Sequence, residues 1–132
     1  MIGPADILVV DDDVDVRGLV LILLEAEGHH VIEAADGQIA LDALASGRAI
    51  DLIILDMMMP VMDGVTFLEN MSRGPYASVP TVIFSSAPFR GLERFANVTS
   101  MVPKMDAADG LLAAIRSVNR IEPAHHATSS AA

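Results

Sequence analysis

Apolar residues along this chain fall into two patterns. Short unbroken runs, each bounded by turn residues, stand at "ILVV" 7–10, "LIIL" 52–55, "TVIF" 81–84 and "SMV" 100–102. A fifth segment, "HVIEA" at 30–34, reads as a strand nearer a sheet edge. Runs without polar alternation suit strands covered on both faces, as in a parallel sheet. Between them, apolar residues recur at three- and four-residue spacing, the period of a helix with one buried face.

The first such segment, Val14 to Glu27, groups Val16, Leu19, Val20, Leu23 and Leu24, with Asp13 placed to cap its start and Gly28 to stop it. The second, about Gln38 to Ser46, carries Ile39, Leu41 and Leu44. The third runs from about Val65 to Ser72 and ends before Gly74-Pro75. The fourth, about Phe89 to Ala96, is short and contains Gly91; the last, Ala107 to Arg120, presents Leu111, Leu112, Ile115 and Val118. Five alternations of strand and helix predict right-handed crossovers and a parallel sheet between two helix layers, an α/β fold.

Length and composition narrow the class. At 132 residues and 52% apolar content, one domain with its own core is expected. It is assigned to residues 1–121, with 122–132, "EPAHHATSSAA", as a disordered tail. His125 and His126 in that tail are read as part of a mobile segment rather than as metal ligands. Cysteine is absent, which excludes thiol catalysis. No run is long enough to span a bilayer and "MIGPAD" is unlike a signal peptide, so a cytoplasmic location is expected. The formal charge of −10 opposes direct nucleic-acid binding.

The chemistry lies where strands end, because open parallel sheets bind ligands beyond the carboxyl ends of their strands. Strand one ends in Asp11-Asp12-Asp13, strand three in Asp56, strand four in Ser85-Ser86, and strand five leads through Pro103 to Lys104. Helix capping accounts for Asp13 but not for Asp11, Asp12 and Asp56 together. Two carboxylates ~4 Å apart repel by about 4 kcal/mol at an effective dielectric of 20. A hard divalent cation with oxygen ligands, such as Mg²⁺, relieves that repulsion.

The sequence resembles the receiver domain of two-component response regulators. The resemblance is carried by "ILVVDDD" at 7–13, "DLIILDMMMPVMDG" at 51–64, "VPTVIFSSA" at 79–87 and "VPK" at 102–104. It implies a flavodoxin-like fold with strand order 2-1-3-4-5 and a single-domain regulator acting in a phosphorelay. In that reading Asp56 is the phosphoacceptor. Asp11, Asp12, Asp56 and the backbone carbonyl of Met58 hold Mg²⁺, and Ser85 and Lys104 contact the phosphoryl oxygens. The implied partners are a sensor histidine kinase or histidine phosphotransfer protein and a downstream protein target, with no membrane. A phosphorylation-dependent homodimer is one form of output. The protein is then a signalling domain rather than a conventional enzyme. Two alternatives stand beside it: a receiver-shaped interaction module that is never phosphorylated, and a Mg²⁺-dependent aspartyl phosphatase. The latter typically has an acid two residues after the nucleophile, where this chain has Met58.

Within "PVMDG", Asp63 is read as a turn or cap residue and Gly64 as permitting an unusual backbone angle. Three positions depart from the family pattern: Met105 follows Lys104 where proline is usual, Met101 replaces an aromatic, and the fourth helix is abbreviated.

Overall fold

The computed structural model describes residues 3–119. The expected boundary at 121 and the expected tail with His125 and His126 lie outside the described residues. Five strands, β1 (Asp6–Val10), β2 (His30–Ala34), β3 (Leu52–Leu55), β4 (Thr81–Ser85) and β5 (Val98–Pro103), form one sheet. All pairings are parallel and the order is β2-β1-β3-β4-β5, as the resemblance implies. Four helices connect or follow them among the described residues: α1 (Val14–Ala26), α2 (Gly37–Ala45), α3 (Gly64–Ser72) and α4 (Asp109–Asn119).

Because side chains alternate across a strand, each unbroken apolar run feeds two cores. Leu8, Val10, Ile53, Leu55 and Ile83 face α2 and α3, where Leu44, Phe67, Leu68 and Met71 meet them. Ile7, Val9, Leu52, Ile54, Val82 and Phe84 face α1 and α4 and pack against Val20, Leu24, Leu111 and Ile115. Burial of each large aliphatic side chain contributes about 1.5–3 kcal/mol, so β1 and β3, buried on both faces, are the rigid centre.

The expected fourth helix over Phe89 to Ala96 does not form. Only a 3₁₀ turn, Leu92–Arg94, is present. Gly91 precedes it at φ 79°, a left-handed conformation that an α-helix cannot include. Leu92 and Phe95 are both buried, and their three-residue spacing fits a 3₁₀ repeat. The last helix starts at Asp109 rather than Ala107, after a second 3₁₀ turn over Lys104–Asp106. Leu19, expected to face inward, is 49% exposed. α1 is apolar on nearly every side, so its periodicity alone defined the buried face poorly.

Candidate functional site

The carboxyl edge of the sheet gathers the expected residues. β1 and β3 are paired Val10 to Leu55, so the residues that follow, Asp11 and Asp56, leave the sheet side by side. Asp11 and Asp56 are only 2% and 3% exposed, whereas Asp12 faces solvent. One carboxylate oxygen from each of the three lies within 4.8 Å of the others. Ser85 is the last residue of β4, and Lys104 follows β5 directly.

Lys104 Nζ lies 3.5 Å from Asp56 Oδ1 and 2.8 Å from Asp11 Oδ2. The latter is a close ion pair, although its angles fall short of a directed hydrogen bond. The Asp13 amide donates to Asp11 Oδ1 at 2.9 Å, and the Met58 amide lies 3.4 Å from Asp56 Oδ1. Burial, reinforced by the neighbouring Asp11, raises the Asp56 pKa above the usual carboxylate value; Lys104 and the Met58 amide only partly oppose this. Burial alone would lower the Lys104 pKa, but Asp11 and Asp56 outweigh it and raise it. Lys104 is therefore a fixed ammonium held against two acids. Three hard oxygen donors with one cation among them leave the cluster short of positive charge, which suits a divalent ion.

The Ser85 hydroxyl is buried and meets no hydrogen-bond partner among the described residues. A buried hydroxyl without a partner is costly, and a ligand oxygen at this edge would satisfy it. Met58 sits in the loop after Asp56 and is 67% exposed.

Asp13 and Asp63 are caps, as expected. Asp13 accepts from the Asp15 and Val16 amides of α1, and Asp63 from the Thr66 amide of α3. Gly64 is needed for a different reason from the one expected. Its φ is not positive; instead, a Cβ there would lie 2.5 Å from Met57 Sδ and 2.8 Å from Met57 Cα. Gly64 is thus a point of close approach that lets α3 start hard against the Asp56 loop. The left-handed residue of the segment is Val61, at φ 69°, with the Met62 amide donating to the Pro60 carbonyl across it at 2.7 Å.

Sequence reasoning missed Arg17. It is the lone cation in α1, and its Nη1 donates to the Asp11 carbonyl at 2.7 Å. The single basic residue of a helix that follows an acidic loop was the available signal. Met101, 38% exposed, pairs with Ile83 in the sheet, and its sulfur accepts from the Phe89 amide at 3.5 Å. It borders a cavity of about 290 Å³ whose wall includes Ser85, Pro88 and Pro103.

The molecule is thus a doubly wound parallel α/β sheet with an acid cluster and a lysine at its carboxyl edge. Comparison with known proteins identifies the family. The family signature of the response regulator receiver domain matches residues 7–116, and the chain belongs to that family. It is 36% identical to the response regulator MprA of Mycolicibacterium vanbaalenii over 98% of this chain and 57% of that protein. It is 49% identical to the transcriptional regulatory protein CpxR of Escherichia coli over 51% of this chain and 28% of CpxR. At 57% for MprA and 28% for CpxR, the matched stretch covers only part of these relatives. Among solved structures, chemotaxis protein CheY4 of Vibrio cholerae superposes with a TM-score of 0.77 at 29% identity, over 88% of this chain and 99% of CheY4. The response regulator TrrA of Thermotoga maritima, solved in complex with Mg²⁺ and BeF, gives 0.77 at 26% identity, over 86% and 98%. Receiver domains of this family serve two-component signalling. No helix among the described residues is long and apolar enough to cross a membrane.

Proposed function

We propose that Asp56 accepts a phosphoryl group from a phosphohistidine on a sensor histidine kinase or histidine phosphotransfer protein, and that the phosphorylated chain signals by altered protein contacts. The observation that carries this reading is the convergence of Asp11, Asp12 and Asp56 within 4.8 Å, with Lys104 in contact with two of them. A carboxylate oxygen of Asp56 forms the new P–O bond as the P–N bond to the imidazole breaks, its electron pair staying on the nitrogen. Little covalent work falls to the protein, so positioning and charge neutralisation dominate. Lys104 neutralises one phosphoryl oxygen and the Ser85 hydroxyl donates to another. Asp11, Asp12, Asp56 and the Met58 carbonyl would hold Mg²⁺, whose chemistry is to offset the charge gathering on the transferred group.

The surroundings suit docking of a protein. Val14, Met58, Val61, Met101 and Met105, all substantially exposed, stand after β1, β3 and β5 or within β5 near the same edge. An apolar rim around a charged centre is the composition of a contact surface. The reading includes the cytoplasmic location expected from the sequence. It assigns no nucleic-acid contact to these 132 residues, whose charge is −10.

Incubation with acetyl phosphate and Mg²⁺, followed by intact mass, tests the proposal. A stable added phosphate is expected. No added mass and no phosphate release would favour a module that is never phosphorylated, whereas turnover without accumulation would favour a phosphatase. Sedimentation with and without phosphodonor tests for a phosphorylation-dependent homodimer.

A further inference from the structure

We infer that Arg17 is a positioning residue for the cation site: it fixes the backbone that carries Asp11 and Asp12. This rests on the reading of the acid cluster as a Mg²⁺ site. Arg17 projects from the first turns of α1 with its side chain only 15% exposed. Its Nη1 donates to the Asp11 carbonyl at 2.7 Å, and its Nε meets Glu33 Oε1 on β2 at 3.2 Å. The Asp11 amide in turn donates to the Ala34 carbonyl, one residue beyond Glu33, at 3.1 Å. Asp11 is thus held on both of its peptide groups, its N–H by β2 and its C=O by a guanidinium that β2 itself restrains.

The consequence reaches the site because the held segment is the short link between β1 and α1. Three like charges within 4.8 Å push one another apart, and an untethered loop can relieve that repulsion by rotating Asp11 or Asp12 outward. A charge-assisted bond to the carbonyl behind them opposes the rotation. The forked guanidinium matters, since one group must reach a carbonyl and a carboxylate at once; a lysine ammonium is a point charge on a flexible stem. Glu33 also pairs with the Arg17 charge, which limits its repulsion of a bound cation. Groups that orient metal ligands without touching the metal typically change metal affinity by about 10–100-fold when removed.

Calorimetric titration of Mg²⁺ into the metal-free protein tests this, with thermal unfolding of the same samples. Arg17→Gln is expected to raise the Mg²⁺ Kd by about 10-fold or more. Arg17→Lys should fall between it and wild type. Arg116→Gln, which breaks the exposed Arg116–Glu27 pair elsewhere, should leave the Kd unchanged. An Arg17→Gln protein with a lowered melting temperature but a wild-type Kd would show a mere strut, and a tighter Kd would show that Arg17 acts by repelling the ion. Either result overturns the inference. Should Arg17→Gln fail to fold, Glu33→Gln carries the test, with a smaller loss of affinity expected and no loss overturning it. Absence of Mg²⁺ binding by the wild type would instead remove the reading of the cluster as a cation site.

Discussion

The two halves of the sheet edge are built differently. On the β1–β3 side, Asp11 and Asp56 are buried, and the Asp11 peptide is held at both ends. On the β4–β5 side, the Ser85 hydroxyl has no partner among the described residues, and a cavity of about 290 Å³ lies beside Met101. The ladder there carries a register shift at Thr81–Val82, and a single 3₁₀ turn stands where a helix was expected. Rigid placement belongs where phosphoryl transfer demands geometry. A partly unsatisfied strand end beside a cavity belongs where a small event must move the backbone. Under the proposed function, the contrast separates the half that carries the acceptor and cation ligands from the half that, with Ser85 and Lys104 at its edge, would respond.

The largest expected effect breaks the chemical half outright. Asp56→Asn should abolish labelling by a small phosphodonor while leaving the far-UV circular dichroism unchanged, as read by intact mass. Full labelling of the variant would move the acceptor to another carboxylate. Next, Mg²⁺ should raise the melting temperature of the wild type by the linkage of binding to stability. Asp12→Ala should remove that response, and an unchanged shift would take Asp12 out of the ligand set.

The responding half is tested by Ser85 and Met101. A phosphoryl group on Asp56 offers the Ser85 hydroxyl the acceptor it lacks, drawing the end of β4 toward it. Methionine is unbranched and fills space through several rotamers, so Met101 cannot act by a two-position flip as a ring can. Phosphorylation should therefore change amide exchange across residues 86–112 through backbone movement of the 3₁₀ turn, β5 and the start of α4. Ser85→Ala should erase that change and Met101→Ala should reduce it only modestly. Equal loss in both variants would make Met101 the switch residue.

These two halves were unequally legible in the sequence. Strand runs saturated with apolar residues located β1, β3 and β4 to within a residue, and the acids at their ends stood out because no core explains them. The β4–β5 connection was misjudged because Leu92 and Phe95 satisfy helical and 3₁₀ spacing alike. Gly91 decided between them only through its backbone angle. Arg17 was missed because its role runs through a backbone carbonyl, which the sequence records only as a lone basic residue after an acidic loop. Gly64 was correctly singled out, but close approach to Met57 is a tertiary fact.

A smaller effect comes from pH. His29 is 6% exposed and its Nδ1 accepts from the Ala5 amide at 3.1 Å, which requires a neutral ring. Burial lowers its pKa from 6.5, against an opposing pull from Glu27. The unfolded chain therefore takes up a proton near pH 6.5 that the folded chain refuses. Stability is full above that pH and declines as pH falls toward the lower folded pKa, by at most about 1.4 kcal/mol per pH unit. Asp56 has the opposite sign: its folded pKa is raised by burial, so acidification relieves a cost. Denaturation in chelator on an Asp56→Asn background isolates His29, and adding His29→Gln should flatten the slope just below pH 6.5. An unchanged slope would assign it to other groups.

The smallest effect concerns strain inside the chemical half. Val61 is β-branched, 83% exposed and held at φ 69° in a one-residue turn closed by the Met62 amide on the Pro60 carbonyl. A left-handed conformation costs a side-chain-bearing residue roughly 1–2 kcal/mol, and so exposed an isopropyl group recovers little by burial. Glycine removes the clash but adds about 0.5–1 kcal/mol of backbone entropy to the unfolded chain. Val61→Gly should therefore gain between nothing and about 1.5 kcal/mol, a rise in melting temperature of at most about 6 °C. What that strain holds in place is an apolar group on the rim beside Asp56, where a docked partner would touch it and a small phosphodonor would not. Labelling of Val61→Gly by acetyl phosphate should match wild type, while transfer from a phosphorylated histidine kinase should slow. If both donors slow equally, Val61 shapes the Asp56 loop itself, and the turn belongs to the site rather than to the surface around it.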